Sequence, residues 1–159
     1  MIKLRNPSLS SPCIIDADVI INWLAKETDP GTETPLWESP LKIFERIEAG
    51  AVDGYVSVLS LMEVRFVLRR KKKIPEEKIK EYISRIMEIV EIVVPDEFSL
   101  FKANSLQSDN LLSPFDAILI ATGMSIKNSA LVTRDKSLKS LASKFLPAVS
   151  PEDFLARVK

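Results

Sequence analysis

Residues 113–138 read SPFDAILIATGMSIKNSALVTRDKSL, and the fold follows from how this stretch is divided. Ser113 followed by Pro114 is a helix start, with a capping hydroxyl and a proline in the first turn where its missing N–H is not needed. The apolar run behind it predicts a helix near 115–126, with Asp116 in its first turn. ALVT, 130–133, is a short apolar run of strand length. A short helix follows Asp135. Helix, strand and helix thus fall within 26 residues, and a carboxylate stands at the start of each helix.

Outward from this segment the same alternation recurs. CIID (13–16) reads as a short buried strand and VIINWLAK (19–26) as a helix. TDPGTETP (28–35) is a turn-rich loop. Ser39-Pro40 predicts an N-cap and a first-turn proline, with Gly50 closing that helix. GYVSV (54–58) is a strand, and a helix with a basic end runs from about 59 to 72. Pro75 opens a helix carrying Ile79, Ile83, Ile86 and Val90 on one face. IVV (92–94) is a strand, a helix follows at 96–107, and Pro151 starts the last helix. Strands separated by helices imply an α/β fold with a parallel sheet of four to five strands covered on both faces. Ligands of such sheets bind beyond the carboxyl ends of the strands.

At 159 residues the chain is expected to be a single domain, 1–159 with its core about 13–155, burying roughly two thirds of its unfolded surface. Twenty-two basic residues balance twenty-two acidic ones, so net charge selects no polyanionic partner and any nucleic-acid contact must come from local clusters. The single cysteine, Cys13, reads as a small core hydrophobe and fits a reducing, cytoplasmic setting. No apolar run reaches the roughly 18 residues of a membrane span, and the first residues show no apolar core of a secretion signal. Histidine is absent, which leaves carboxylates, metal or lysine to carry any chemistry.

Four acids stand at the ends of apolar runs or the starts of helices: Asp16, Glu63, Asp116 and Asp135. Each also has a purely structural reading. Asp16 and Asp18 suit the N-terminus of the first helix, Asp116 a first turn, and Asp135 the cap of the helix that follows it. Ser60-x-x-Glu63 matches a capping box. Capping explains Glu63 poorly, because the helical pattern runs past it and allows a start before Ser60. Nor does it explain why all four fall at one edge of the sheet. Carboxylates gathered there repel one another and call for a cation.

The series CIIDAD (13–18), SVLSLME (57–63), SPFDAILIATG (113–123) and LVTRD (131–135) resembles the PIN domain, most closely the VapC-like toxin ribonucleases, over about 14–154. The stretch 113–138 is the most specific part. Gly123 stands where alanine is usual and Ile20-Ile21 replaces a leucine-containing pair; neither touches the acids. The resemblance implies a three-layer α/β/α sandwich and a pocket of Asp16, Glu63, Asp116 and Asp135 binding Mg²⁺ or Mn²⁺. Asp18 and Thr133 would be auxiliary. It also implies an RNA substrate, pairing of toxin subunits and a small antitoxin partner. The apolar early segment, with Ile20, Ile21, Trp23, Leu24, Trp37, Leu41, Ile43 and Phe44, is a second reason to expect a homodimer.

The chemistry also follows from the residues. Phosphodiester hydrolysis needs an activated water and neutralised phosphoryl oxygens, and carboxylate-held Mg²⁺ supplies both. Without histidine the route through the RNA 2′-hydroxyl with two imidazoles is closed, so a 5′-phosphate and a 3′-hydroxyl are expected. Arg70 returns to nearly the same helix face as Glu63, about 10 Å along. Arg69, Arg70 and Arg134 are therefore candidate RNA contacts, against the ordinary reading of solvated basic residues at a helix end. Other readings remain open. DADVI also resembles the first motif of haloacid-dehalogenase-like phosphatases, with Asp16 as nucleophile and Asp18 as general acid. An RNA-processing nuclease without an antitoxin, or a catalytically silent PIN-like interaction module, would share the fold.

Overall fold

The computed structural model describes residues 11–158; residues 1–10 and Lys159, which the single-domain expectation includes, lie outside them. The strands are β1 (Ser11–Ile15), β2 (Val52–Ser57), β3 (Glu91–Val93), β4 (Ala130–Val132) and β5 (Ala148–Val149). The helices are α1 (Ala17–Leu24), α2 (Glu38–Glu48), α3 (Val58–Arg70), α4 (Glu76–Ile89), α5 (Glu97–Asp109), α6 (Pro114–Ser125), α7 (Lys136–Ala142) and α8 (Pro151–Arg157). The five strands form one sheet in the order β3-β2-β1-β4-β5, and every pair is parallel. From β1 the chain builds outward through β2 and β3 on one side, then returns to build β4 and β5 on the other. The strand order therefore reverses between β1 and β4, and a crevice opens beyond their carboxyl ends.

Alternation along β1 divides the core into two layers. Cys13 and Ile15 join a cluster with Val19, Ile43, Phe44, Leu68, Ile79 and Phe154, from α1, α2, α3, α4 and α8. Ile14 faces the other way, with Ala103, Ile120, Leu131 and Leu138, from α5, α6, β4 and α7. Successive strand side chains point to opposite faces, so this is the three-layer α/β/α sandwich. No helix among the described residues is long and apolar enough to cross a membrane.

Two boundaries shift, a fifth strand completes the expected four to five, and the early apolar segment proves mostly buried. The second helix starts at Glu38, with Trp37 at its N-cap and no side-chain cap. Ser39 is thus not the cap, and Pro40 is tolerated because first-turn N–H groups have no intrahelical partner. The loop before it is closed by Leu36 N–H donating to Glu27 O at 2.9 Å and by the bridge from Thr28 to Pro35, which brings the chain to its helix early. β2 begins at Val52 rather than Gly54: Ile47 of α2 covers Gly54 so closely that a Cβ there would lie 2.8 Å from Ile47 Cγ1. β5 is two residues long, too short to show a period, and is fixed by Thr133 N–H donating to Val149 O at 3.0 Å. The apolar early segment is largely core: Ile20, Ile43 and Phe44 are buried and the Trp23 ring stacks on Phe44 at 4.4 Å between centroids, while Trp23, Leu24, Trp37 and Leu41 are only partly buried.

Candidate active site

The crevice at the strand reversal is where the acidic residues arrive. Asp16 follows β1 and is the N-cap of α1. One carboxylate oxygen accepts the Ala17 N–H at 2.7 Å, and the other accepts the hydroxyl of the buried Thr133 at 2.9 Å. Asp18, in the first turn of α1, accepts the Arg134 backbone N–H at 2.9 Å through Oδ2, while its Oδ1 is buried with no hydrogen-bond partner. Two strand ends, β1 and β4, are thereby tied together through carboxylates.

Glu63 comes from α3, whose N-cap is Ser57, accepting from Leu59 N–H at 3.2 Å. Ser60 lies inside the helix, so the capping-box reading of Glu63 fails and nothing in helix termination requires an acid there. Asp116 sits in the first turn of α6. Ser113 caps that helix by accepting the Asp116 N–H at 3.1 Å, as the Ser-Pro signal predicted. Asp135 caps α7, its Oδ1 accepting from Leu138 N–H at 3.0 Å.

Asp16, Glu63 and Asp116 line one small cavity of about 20 Å³, together with Ser57, Ser60 and Phe115. That volume holds about one water-sized occupant. No lysine or arginine lines it. Asp135 is not among the lining residues, but its charge acts on both Asp18 and Asp116. Burial, then the charges of Asp18 and Glu63, push the Asp16 carboxyl up to about 8 against the hydrogen bonds from Thr133 and Ala17. Burial raises Asp18, with Asp135 adding to it. Burial also raises Glu63, reinforced by Asp116 and Asp18, and raises Asp116, reinforced by Asp135. The five acids thus form one mutually repelling group.

Oxygen-only donors and an excess of negative charge over the nearby Arg134 and Lys71 fit a hard divalent cation, while the unpartnered Asp18 Oδ1 belongs to a residue outside the cavity lining. Among the described residues no three acidic side chains by themselves enclose an ion.

Arg134 is not a free cation for RNA. Its guanidinium donates to Asn22 Oδ1 at 2.6 Å, to Leu36 O at 2.9 Å and to Glu152 at 2.7 and 3.0 Å. It ties α1, the loop before α2 and α8 together. That role was missed because Asn22 and Glu152 lie 112 and 18 residues away in sequence. Arg69 and Arg70 end α3 on its exposed side, away from the cavity lining; Arg69 lies 3.8 Å from Glu76. Phe115 lines the pocket although it is 64% exposed; as an apolar residue in an apolar helix it gave no signal of this.

The chain belongs to the PIN domain family, whose model matches residues 13–144. Members of that family are nucleases and generally use divalent metal ions. Among solved structures the chain is similar to FitAcB from Neisseria gonorrhoeae, with 17% identity over 88% of this chain and 98% of that one and a TM-score of 0.63. It is similar to VapBC2 from Rickettsia felis, solved bound to a DNA fragment from its promoter, with 14% identity over 86% and 96% and a TM-score of 0.64. It is also similar to PAE2754 from Pyrobaculum aerophilum, with 14% identity over 92% and 88% and a TM-score of 0.65. At these identities the likeness is one of fold. A search of curated proteins gives no match.

Proposed function

We propose that the protein is an endoribonuclease dependent on Mg²⁺ or Mn²⁺, and the toxin of a cytoplasmic toxin–antitoxin pair. The observation that carries the nuclease reading is the cavity itself: Asp16, Glu63 and Asp116 converge on it from three separate elements, with no cationic side chain among its lining. In this reading Asp16, Glu63 and Asp116 would hold the metal, with Asp135 adding its negative charge from outside the cavity lining. When bound, the ion supplies a Lewis acid at the phosphoryl oxygens and lowers the pKa of water.

The residues of the chain supply positioning. Thr133 donates to Asp16 and fixes its rotamer. The Arg134 N–H fixes Asp18, whose second oxygen remains available as an acceptor. Asp116, in the first turn of α6, stands where the helix dipole favours the ionised carboxylate, which partly offsets its burial. The phosphatase reading gives Glu63 and Asp116 nothing to do, yet both line the cavity with Asp16.

The antitoxin partner is supported by the fold likeness to FitAcB and VapBC2. A homodimer is supported by the apolar side chains left on α5 and the loop after it, with Phe98, Phe101 and Leu111 largely exposed. Purified protein incubated with single-stranded and structured RNA should cleave with Mg²⁺ or Mn²⁺ and stop in EDTA. Full cleavage in EDTA contradicts the reading. Hydrolysis of p-nitrophenyl phosphate with no action on RNA selects the phosphatase.

A further inference from the structure

The acidic pocket opens, at Glu63 and Phe115, onto a groove of about 340 Å³ that Leu59, Met62 and Phe66 complete. Three of these side chains are large, apolar and more than half exposed: Met62 at 61%, Phe66 at 57% and Phe115 at 64%. Phe66 follows Glu63 on α3 by about 4.5 Å along the helix axis. One turn later the Arg70 guanidinium lies over the Phe66 ring, 5.9 Å from its centroid. Met62 and Phe66 continue into a depression that they share with Arg65, Arg69 and Arg70. Outward from the pocket the surface therefore runs from carboxylates to aromatic rings to arginines.

We propose that this groove is a stacking platform for single-stranded RNA. Bases beside the scissile bond lie on Phe115 and Phe66, and the phosphates beyond them meet Arg69 and Arg70. The proposal rests on the ribonuclease reading above. Proteins that hold single strands combine a cationic track with exposed rings, because every base offers a π-face while phosphates supply the charge. A duplex buries its base faces and cannot use the rings. The order of groups favours RNA over a protein segment. The arginines lie at the far end of an aromatic surface that begins at the pocket, so one strand can satisfy rings and cations while its backbone passes the carboxylates.

The test is fluorescence anisotropy in EDTA, where cleavage is off, with a labelled mixed-sequence RNA of 12 nucleotides. Wild type is compared with Phe66→Leu, Phe115→Leu, Phe66→Tyr and Phe115→Tyr. Both leucine variants stay apolar but remove the ring and should weaken binding about 5-fold or more each. The tyrosine variants should bind as wild type does. The duplex form of the same RNA should bind more weakly and be indifferent to either leucine change. Unchanged affinity in both leucine variants, with wild-type binding and metal-dependent cleavage intact, overturns the platform and leaves the nuclease reading standing. A wild type that neither binds nor cleaves RNA overturns both. Leucine variants that keep RNA affinity but change the mass in light scattering assign the groove to a second protein chain and overturn the proposal.

Discussion

Residue scale. Asp16 shows how burial and like charge act together. Its carboxyl is raised from 3.8 in the unfolded chain to about 8 in the fold, so the native state binds the proton more tightly. The contribution of this group to stability is therefore fully present below about pH 4, declines as pH rises toward 8 and is lost above it, while carboxylates held below their usual range, such as Glu152, act in the opposite sense only in more acid solution. Thermal denaturation in EDTA at pH 5, 6.5 and 8 checks this: Tm should fall across the series, and saturating Mn²⁺ should flatten the fall. A Tm rising steadily with pH in EDTA contradicts it. Removing one charge should act in the same direction. Glu63→Gln should abolish metal-dependent cleavage while raising the metal-free Tm, by an amount reduced by the solvent exposure of Glu63. Calorimetry and a cleavage assay on one preparation read both, and a destabilised but active variant would return Glu63 to a structural role. The acids were legible in the sequence because each broke an apolar pattern at an element end. Arg134 was not, because its partners come from three elements that meet only in the folded chain. Arg134→Gln should cost about 2 kcal/mol or more by orphaning Asn22 and Glu152, without changing the salt dependence of RNA binding.

Element scale. Helices with capping or proline signals were readable to within a residue or two: Pro75 and Ser113 stand at the N-caps of α4 and α6. The weaker positions are those where a neighbour decides. Ser39 lost its cap to the closed loop before it, and Gly54 makes sense only beside Ile47. Gly54→Ala must displace Ile47 on a buried strand and should destabilise by about 1–3 kcal/mol, measured by urea denaturation; a neutral result would mean that α2 shifts freely over β2. Gly123 on α6 is enclosed in the same way, since a Cβ there would meet Leu146 Cδ1 at 2.7 Å and the buried Ile14 Cγ2 at 3.2 Å. The basic end of α3 gives a contrasting test. Arg69→Gln and Arg70→Gln should each lower the salt slope of RNA binding by about 1 and leave stability almost unchanged. An unaltered slope would make them ordinary solvated residues.

Whole-molecule scale. The parallel order β3-β2-β1-β4-β5 places the reversal between β1 and β4, and this turns acids scattered from residue 16 to residue 135 into one site. The α/β alternation was legible because each strand is a short apolar run between helical patterns. Strand order was not, because nothing local says that β4 returns beside β1. The surface was least legible: the early apolar segment is mostly core, and most of the exposed apolar residues lie on α3, on α6, and on α5 with the loops that flank it. A homodimer should therefore use α5, and light scattering at micromolar concentration should give twice the chain mass, with Phe101→Glu reducing it to one; a monomeric wild type rejects the dimer. The account as a whole depends on one cavity. Initial rates of RNA cleavage in Mn²⁺ should be compared for wild type and Asp116→Asn, both shown folded by their melting curves. The account predicts a rate loss of at least about 10²-fold for the variant, on the scale of removing a group that stabilises the transition state. Equal rates in the two proteins would contradict it.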